Sequence, residues 1–324
     1  MLICRTPLRV SLFGGGSDFL DHYSQNSGAV LSFAINKYIY TSIHPLIESE
    51  KILLKYSKNE FVNSAHEIEH PVLRSVISNY KLSGIDISVS SDIAAGTGLG
   101  SSSAFTVSAI HLIREYLGLS YTKHELAEEA CDTEINKLHE PIGKQDQYAS
   151  AFGGFNYFEF HKSGKVDITP IQLTNNLVSI LKNNAILIRV GGIRSAGKLL
   201  GAQSSSNQNL KKEEILATMA DQATEAHKML HEGPEYLGRT LGEAWEMKKS
   251  LSPLISNTLI DNLYDFLKSL GVYGGKLLGA GGSGYFLAFG SESVILKIKQ
   301  IKTLSTLDLK IDEFGSQVIY RSDI

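Results

Sequence analysis

"GTGLGSSSAF" (Gly96–Phe105) sets three glycines and three consecutive serines between two apolar runs, and its reading decides the fold. Upstream, "GIDISVSSDI" alternates Ile85, Ile87 and Val89 with Asp86, Ser88 and Ser90, the period of a half-buried strand. Downstream, "AFTVSAIHLIREYLG" places Val107, Ile110, Ile113 and Leu117 on one helical face, with Gly118 available to end the helix. A helix N-terminus carries unpaired N–H groups and the positive end of the dipole, so a glycine-rich entry lets a phosphate approach the backbone. Gly96, Gly98 and Gly100 flank Thr97 and Leu99 and clear that approach. Ser101, Ser102 and Ser103 add hydroxyls for phosphate or magnesium. Taken alone, the stretch reads equally well as a serine-capped turn. The spacing is GxGxG rather than GxGxxG, no acidic residue follows at the distance of a ribose ligand, and no GK[ST] closes it, so neither the dinucleotide fingerprint nor a Walker loop fits.

Further out, "GGIRSAGKLL" carries Gly192, Gly197 and Lys198 after the strand-like "AILIRV". Leu199 stands where a Walker loop needs a hydroxyl for magnesium, so this segment is a decoy, although Arg194 remains a candidate phosphate or sugar contact. Two more glycine turns, "GGGSDF" (Gly14–Phe19) and "GAGGSG" (Gly279–Gly284), bring the close-approach backbones to three. Around them, "AVLSFAINKYIYTSIHPL" and "KILLKYS" read as strands and "HPVLRSVISNYKL" as a helix. "TKHELAEEACDTEINKLH" reads as a helix opened by a Thr122/Glu125 capping box. "NLKKEEILATMADQATEAHKMLHEG", "YLGRTLGEAWEMKKSL" and "NTLIDNLYDFLKSLG" are amphipathic helices. The mixture is α+β, and polar residues between Phe160 and Asn184 separate a strand-rich half from a helix-rich one. Domains 1–178 and 179–324 are the resulting expectation.

The chain has 324 residues, 43% hydrophobic and 20% charged, with a net charge of −3, which describes an ordered globular protein with no basic field for nucleic acid. No run of about 18 apolar residues suggests a membrane span, and the N-terminus lacks a signal-peptide apolar stretch, so a cytoplasmic location is expected. Cys4 and Cys131 stand apart without metal or disulfide spacing. His111, His124 and His139 have no metal spacing either. Glu134 sits in an acidic run with Glu128, Glu129 and Asp132, a pattern that suits a solvated face as well as a ligand.

"PLRVSLFGGGSDF", "GTGLGSSSAF" and "KLLGAGGSGYF", in this order, closely resemble the three motifs of the GHMP kinases, small-molecule kinases named for galactose, homoserine, mevalonate and phosphomevalonate. The first motif, with "GKQDQY", "GGIRSAGKLL" and "EAWEMKKSLSPLISN", looks like the bacterial heptose-phosphate kinase branch; fucokinase-type enzymes share much of it.

The resemblance implies a two-domain α+β fold with the active site in the cleft, the second domain being ferredoxin-like. It implies ATP and Mg²⁺ as cofactors and a sugar phosphate as acceptor, D-glycero-D-manno-heptose 7-phosphate phosphorylated at the anomeric hydroxyl. A fucose- or galactose-like acceptor, or a sensing module that has lost catalysis, stays open. So does a homodimer.

Asp146 matches the residue that deprotonates or orients the acceptor, and Arg9 one near the reacting oxygen. Ser102 matches the magnesium-contacting serine and would pair with Glu134. Gly15, Gly16, Ser17 and Asp18 match the acceptor-binding turn, and Gly281 and Gly282 the third glycine motif. Gly96 to Ser103 would cradle ATP. A phosphorylated acceptor calls for a further cation, with Arg194, Lys144 and Lys37 as candidates.

Overall fold

In the computed structural model, residues 1–47, 49–191 and 206–322 are described, with no side-chain account of 206–209. The Walker-like decoy and Arg194 therefore lie outside the described residues. β1 (Leu2–Phe13) and the 18-residue β2 (Gly28–Pro45) form the spine of the larger sheet. Pro7 in β1 faces Tyr38, and the register slips there, leaving Asn36 and Lys37 as a bulge in β2. A proline has no N–H for the ladder, and a bulge accommodates that loss.

The first half of β2 pairs with β6 (Phe155–Phe160), which carries β7 (Val166–Pro170). Its second half pairs with β5 (Ile85–Ser91), followed by β3 (Ile52–Lys55) and β4 (Asn59–Val62). β5 departs from simple alternation, since Asp86 is buried and held by Lys55. β12 (Gln317–Arg321) closes the other edge against Leu2–Arg5. The chain's end thus crosses the expected division at 178/179 and belongs to the first sheet, because β1 otherwise has an open ladder over its first half.

The second sheet has the order β11-β8-β10-β9, all antiparallel, from β8 (Ala185–Val190), β9 (Gly274–Leu277), β10 (Gly284–Phe289) and β11 (Thr306–Leu307). Helices α7 (Ser206–Lys228), α8 (Pro234–Leu251) and α9 (Thr258–Ser269) separate β8 from β9, and α10 (Glu292–Gln300) separates β10 from β11. This is the βαββαβ order of a ferredoxin-like unit. "AILIRV" and "YFLAF" are nearly continuous apolar runs because this sheet is buried on both faces. Leu187, Leu287 and Phe289 belong to the large core shared with the first sheet. Ile186, Ile188 and Phe286 point the other way, into a second core with Trp245, Ile260, Leu267 and Ile298. The larger core therefore runs across the two halves of the chain instead of ending between them.

α3 (Ser101–Tyr116) follows the serine-rich loop. It is not the amphipathic helix its sequence suggests: from Ser103 to Ile113 every residue is buried, while Leu117 is exposed. The cause is enclosure by β1, β2, α2 (Pro71–Tyr80), α4 (Lys123–Cys131) and α5 (Gln145–Phe152). α4 opens with the expected capping box: Glu125 N–H donates to Thr122 Oγ1 at 3.1 Å, and Thr122 N–H donates to Glu125 Oε2 at 2.7 Å. It then widens into a π-helical turn, Asp132–Lys137, a form that re-aims side chains within a continuous helix.

Candidate active site

Gly96, Gly98 and Gly100 alternate along the loop with φ of 74°, 80° and 73°, all in the left-handed region. Each is bracketed by ordinary backbone, so the loop curls and opens onto the start of α3. Gly100 precedes Ser101 with no side chain capping the helix, which leaves the N–H groups of Ser101, Ser102 and Ser103 without an intrahelical acceptor. Ser101 and Ser103 are buried, whereas Ser102 is exposed at the loop's mouth. Leu99 is fully buried beneath the loop, and its carbonyl accepts from Arg9 N–H at 3.0 Å, tying the loop to β1.

The third glycine turn lies directly against this loop. A Cβ on Gly98 would stand 2.4 Å from the Leu278 carbonyl oxygen, and one on Gly279 would stand 2.4 Å from Gly98 Cα. Tyr285 N–H donates to the Thr97 carbonyl at 3.1 Å. Gly279 and Gly284 are the residues that make this approach. Gly281 and Gly282 instead pack on the α8–α9 connection: a Cβ at Gly281 would strike Ile255, and Gly282 N–H donates to the Ile255 carbonyl at 2.9 Å.

Arg9 reaches over the loop from β1. Its Nε and Nη2 donate to Asp146 Oδ1 and Oδ2 at 2.7 and 2.8 Å, and its Nη1 donates to the Gly98 carbonyl at 2.7 Å. The fork is bidentate, so the planar guanidinium orients the carboxylate as well as neutralising it. Gly100 is required beneath the pair, because a Cβ there would lie 3.1 Å from Arg9 Cγ and 3.2 Å from Asp146 Oδ2.

Glu134 is delivered by the π-helical turn to the base of the same loop and is 1% exposed, not solvated. Thr106 Oγ1 and Ser102 Oγ donate to its Oε1 at 2.9 and 3.4 Å, and Gln147 Nε2 donates to Oε2 at 2.6 Å. Burial pushes this carboxyl up to about 7; hydrogen bonds from neighbouring side chains pull it down, and the Asp146 charge raises it further. A buried carboxylate beside an exposed hydroxyl is an all-oxygen donor pair of the kind magnesium takes.

The first glycine turn ends β1. Ser17 is wholly buried and does not face a ligand: its Oγ lies 2.8 Å from the Gly14 carbonyl and accepts from Ala29 N–H at 3.1 Å, stapling the turn. Asp18 is 1% exposed, and accepts from Gly16 N–H at 2.9 Å and Gln145 N–H at 3.1 Å. It thereby joins the turn to "GKQDQY". Burial pushes its carboxyl up to about 6 against those two N–H bonds, the Asp146 charge adding to the rise. Gly15 faces Ser11 Oγ and Gln145 Nε2, at 3.1 and 3.3 Å from an added Cβ. Among the described residues, Ser11 Oγ and Gln145 Oε1 are buried without a protein partner, as are Thr97 Oγ1 and Ser283 Oγ. Buried polar atoms of this kind ordinarily have a partner.

Of the expected second cations, Lys144 is engaged elsewhere. Its Nζ donates to Glu128 Oε1 and the Gly164 carbonyl, both at 3.0 Å. Lys37 lies in the β2 bulge, where neighbouring Asn36 N–H donates to the Lys310 carbonyl. Sequence reasoning passed over Ser11, Thr106, Gln145 and Gln147. It also passed over two lysines, the buried Lys276 and the half-buried Lys248. The one available signal for the latter was their position in or beside quoted motifs, "EAWEMKKSL" and "GKLLGAGGSG". His111 is buried and structural, its ring between Ser316 and Tyr121.

A left-handed glycine loop at a helix N-terminus, an Arg–Asp fork over it and a buried carboxylate behind it make an arrangement for phosphoryl transfer to a small molecule. The GHMP kinases N-terminal domain matches residues 60–154 and the GHMP kinases C-terminal domain matches 223–302, and the chain belongs to this family of ATP-dependent kinases. It is a sugar kinase by its relatives, a phosphotransferase with an alcohol group as acceptor. It is 28% identical over 299 residues to the D-glycero-alpha-D-manno-heptose 7-phosphate kinase of Campylobacter jejuni, with 88% of each chain covered. To the galactokinase of Thermotoga neapolitana it is 26% identical, with 91% of each covered. In fold it matches the crystal structure of a D-glycero-D-manno-heptose 1-phosphate kinase from Bacteriodes thetaiotaomicron at a TM-score of 0.80, 24% identity and full coverage of both chains. A mevalonate kinase follows at 0.72 and 21%, covering 96% of this chain and 99% of that one. No helix among the described residues is long and apolar enough to cross a membrane.

Proposed function

We propose that the protein transfers the γ-phosphoryl group of ATP to the anomeric hydroxyl of D-glycero-D-manno-heptose 7-phosphate, giving the 1,7-bisphosphate. The observation that carries this reading is the Arg9–Asp146 fork at the mouth of the phosphate loop. The relative in Campylobacter jejuni supports the acceptor. ATP phosphates lie on the N–H groups of Gly96 to Ser103 at the start of α3. Ser102 and Glu134 would hold magnesium, which would supply positive charge to the phosphates.

The acceptor oxygen attacks the γ-phosphorus, the bond from phosphorus to the bridging oxygen breaks, and ADP leaves. Asp146 orients the hydroxyl and takes its proton, and Arg9 holds that carboxylate in register while stabilising charge developing on the transferred group. Gly15, Gly16 and Asp18 bound the acceptor side, where Ser11 Oγ and Gln145 Oε1 offer unpaired polar atoms to sugar hydroxyls.

The test is ADP release across phosphorylated heptoses, free heptoses, hexoses and mevalonate, followed by ³¹P NMR assignment of the phosphorylated carbon. Turnover highest with heptose 7-phosphate and a new anomeric phosphate is the expected result. Equal use of free and phosphorylated sugars refutes the acceptor assignment.

A further inference from the structure

Lys248 on α8 and Lys276 on β9 point at the seam between the first and third glycine turns. Lys276 is 3% exposed, and its Nζ donates to the Leu12 carbonyl at 2.6 Å, two residues before Gly14. Lys248 Nζ donates to the Leu277 and Gly279 carbonyls at 3.0 and 2.5 Å, and Gly279 is the residue pressed against Gly98 of the phosphate loop. Among the described residues, neither ammonium forms an ion pair with a carboxylate.

The two lie within electrostatic reach of each other and of Arg9. Asp146, the carboxylate beside Arg9, is already committed to that guanidinium. Burial, with the neighbouring positive charges, holds the Lys276 ammonium well below its ordinary range and brings Lys248 down to about 7, so the pair is fully charged only when an anion compensates it. Uncompensated buried charge is costly, and carbonyl dipoles answer only part of it.

An ammonium has three donors. Among the described residues Lys276 places one on a protein oxygen and Lys248 two, so three N–H groups are left over beside the first and third glycine turns.

We propose that Lys248 and Lys276 form a phosphate-binding position at the seam of the glycine turns, matched in charge to a phosphate monoester dianion. It is the second basic contact that a phosphorylated acceptor requires, a role Lys144 is too occupied to fill, and in that form the inference rests on the sugar-phosphate reading above. The same chemistry would be offered by the terminal phosphate of ATP bound at the Gly96–Ser103 loop. Without a phosphate the lysines clasp the two turns to neighbouring carbonyls; with one, the leftover donors close on it.

The experiment combines binding and kinetics. In protein labelled with ¹³C-lysine, inorganic phosphate, ATP and heptose 7-phosphate are titrated separately while the Lys248 and Lys276 Cε resonances, assigned from Lys248→Met and Lys276→Met, are followed. Saturable shifts of both resonances are expected. In either variant the KM of the phosphate-bearing partner rises about tenfold to a hundredfold, the loss of one charge-assisted contact, and Lys248→Arg recovers most of it.

A falling preference for phosphorylated over free acceptors assigns the position to the acceptor's phosphate; a raised KM for ATP with every acceptor assigns it to the nucleotide. If the wild type ignores heptose 7-phosphate, the acceptor reading fails, while the inorganic phosphate and ATP arms still test the site. Unmoved resonances with all three probes overturn the proposal, as do variants that lose melting temperature and kcat with both KM values unchanged, since that pattern is a structural clasp alone. Should the methionine variants not fold, the two resonances are assigned from Lys248→Arg and Lys276→Arg, and the wild-type titration decides.

Discussion

Asp146→Asn replaces a carboxylate that accepts from two guanidinium nitrogens by an amide that can accept from one. Arg9 Nε and Nη2 sit at 2.7 and 2.8 Å from the two carboxylate oxygens, so in the variant one nitrogen faces an NH₂ group instead. One charge-assisted hydrogen bond is lost, about 1.5–3 kcal/mol, and a guanidinium that is 5% exposed loses its counter-charge. The Nη1 bond to the Gly98 carbonyl persists, so the arginine stays over the loop. The amide also cannot take a proton from the acceptor, a contribution of about 10²–10⁴ in rate.

Together these effects predict a fall in kcat of about 10³, or ~4 kcal/mol in the barrier, with ATP affinity within about threefold of wild type because the phosphate cradle is backbone. Coupled ADP release gives kcat, calorimetric titration gives ATP affinity, and circular dichroism confirms folding. A folded variant with kcat within threefold of wild type would remove Asp146 from the chemistry. Loss of ATP binding in a folded variant would instead make the pair a support for the loop.

Gly98→Ala puts a Cβ 2.4 Å from the Leu278 carbonyl at a φ of 80°. The left-handed conformation alone costs about 1–2 kcal/mol, so a drop in melting temperature and weaker ATP binding should appear together; a neutral result in both would mean the two turns are not in contact. Glu134→Gln removes the charge from the proposed magnesium pair, and the magnesium concentration for half-maximal activity should rise about tenfold; an unchanged magnesium titration would exclude Glu134 as a ligand.

Asp18 carries its proton up to about pH 6 in the folded chain, against an ordinary value of 3.8, because burial disfavours the anion. The folded state thus binds the proton more tightly, and this group's contribution to stability falls as pH rises from about 4 to 6 and stays low above it, by up to about 3 kcal/mol. Urea unfolding of wild type and Asp18→Asn at pH 4.5 and 7.5 isolates the effect. The stability of Asp18→Asn relative to wild type should improve at the higher pH, and a constant difference contradicts the assignment.

The local signals in this chain were readable where a short-range rule governs them. The Thr122/Glu125 capping box, the strand–loop–helix setting of Gly96–Gly100, and the helices of the second half follow from contacts within a few residues, and the structure forms them as read. α3 defeated its own periodicity because five elements enclose it, and periodicity reports only one buried face. Glu134 could not be told from Glu128, Glu129 and Asp132 by spacing, since a π-helical turn, rather than charge order, turns it inward.

Lys144 looked like a free cation beside Asp146 until Glu128, 16 positions upstream, closed on it. Lys276 was invisible for the converse reason: nothing in a lysine's neighbours along the chain says that it will be buried with no carboxylate beside it among the described residues. The glycines of the three motifs were legible as places where backbones come close. Only the tertiary structure decided which backbones meet, Gly98 with Gly279 and Gly284 with Thr97, because such contacts join residues about 180 positions apart and depend on the packing of whole sheets. The sequence carried the glycine–serine loop, its helix and the family to which they point; the fold decided which charges face that loop, because burial and pairing belong to the packed molecule and not to any stretch of it.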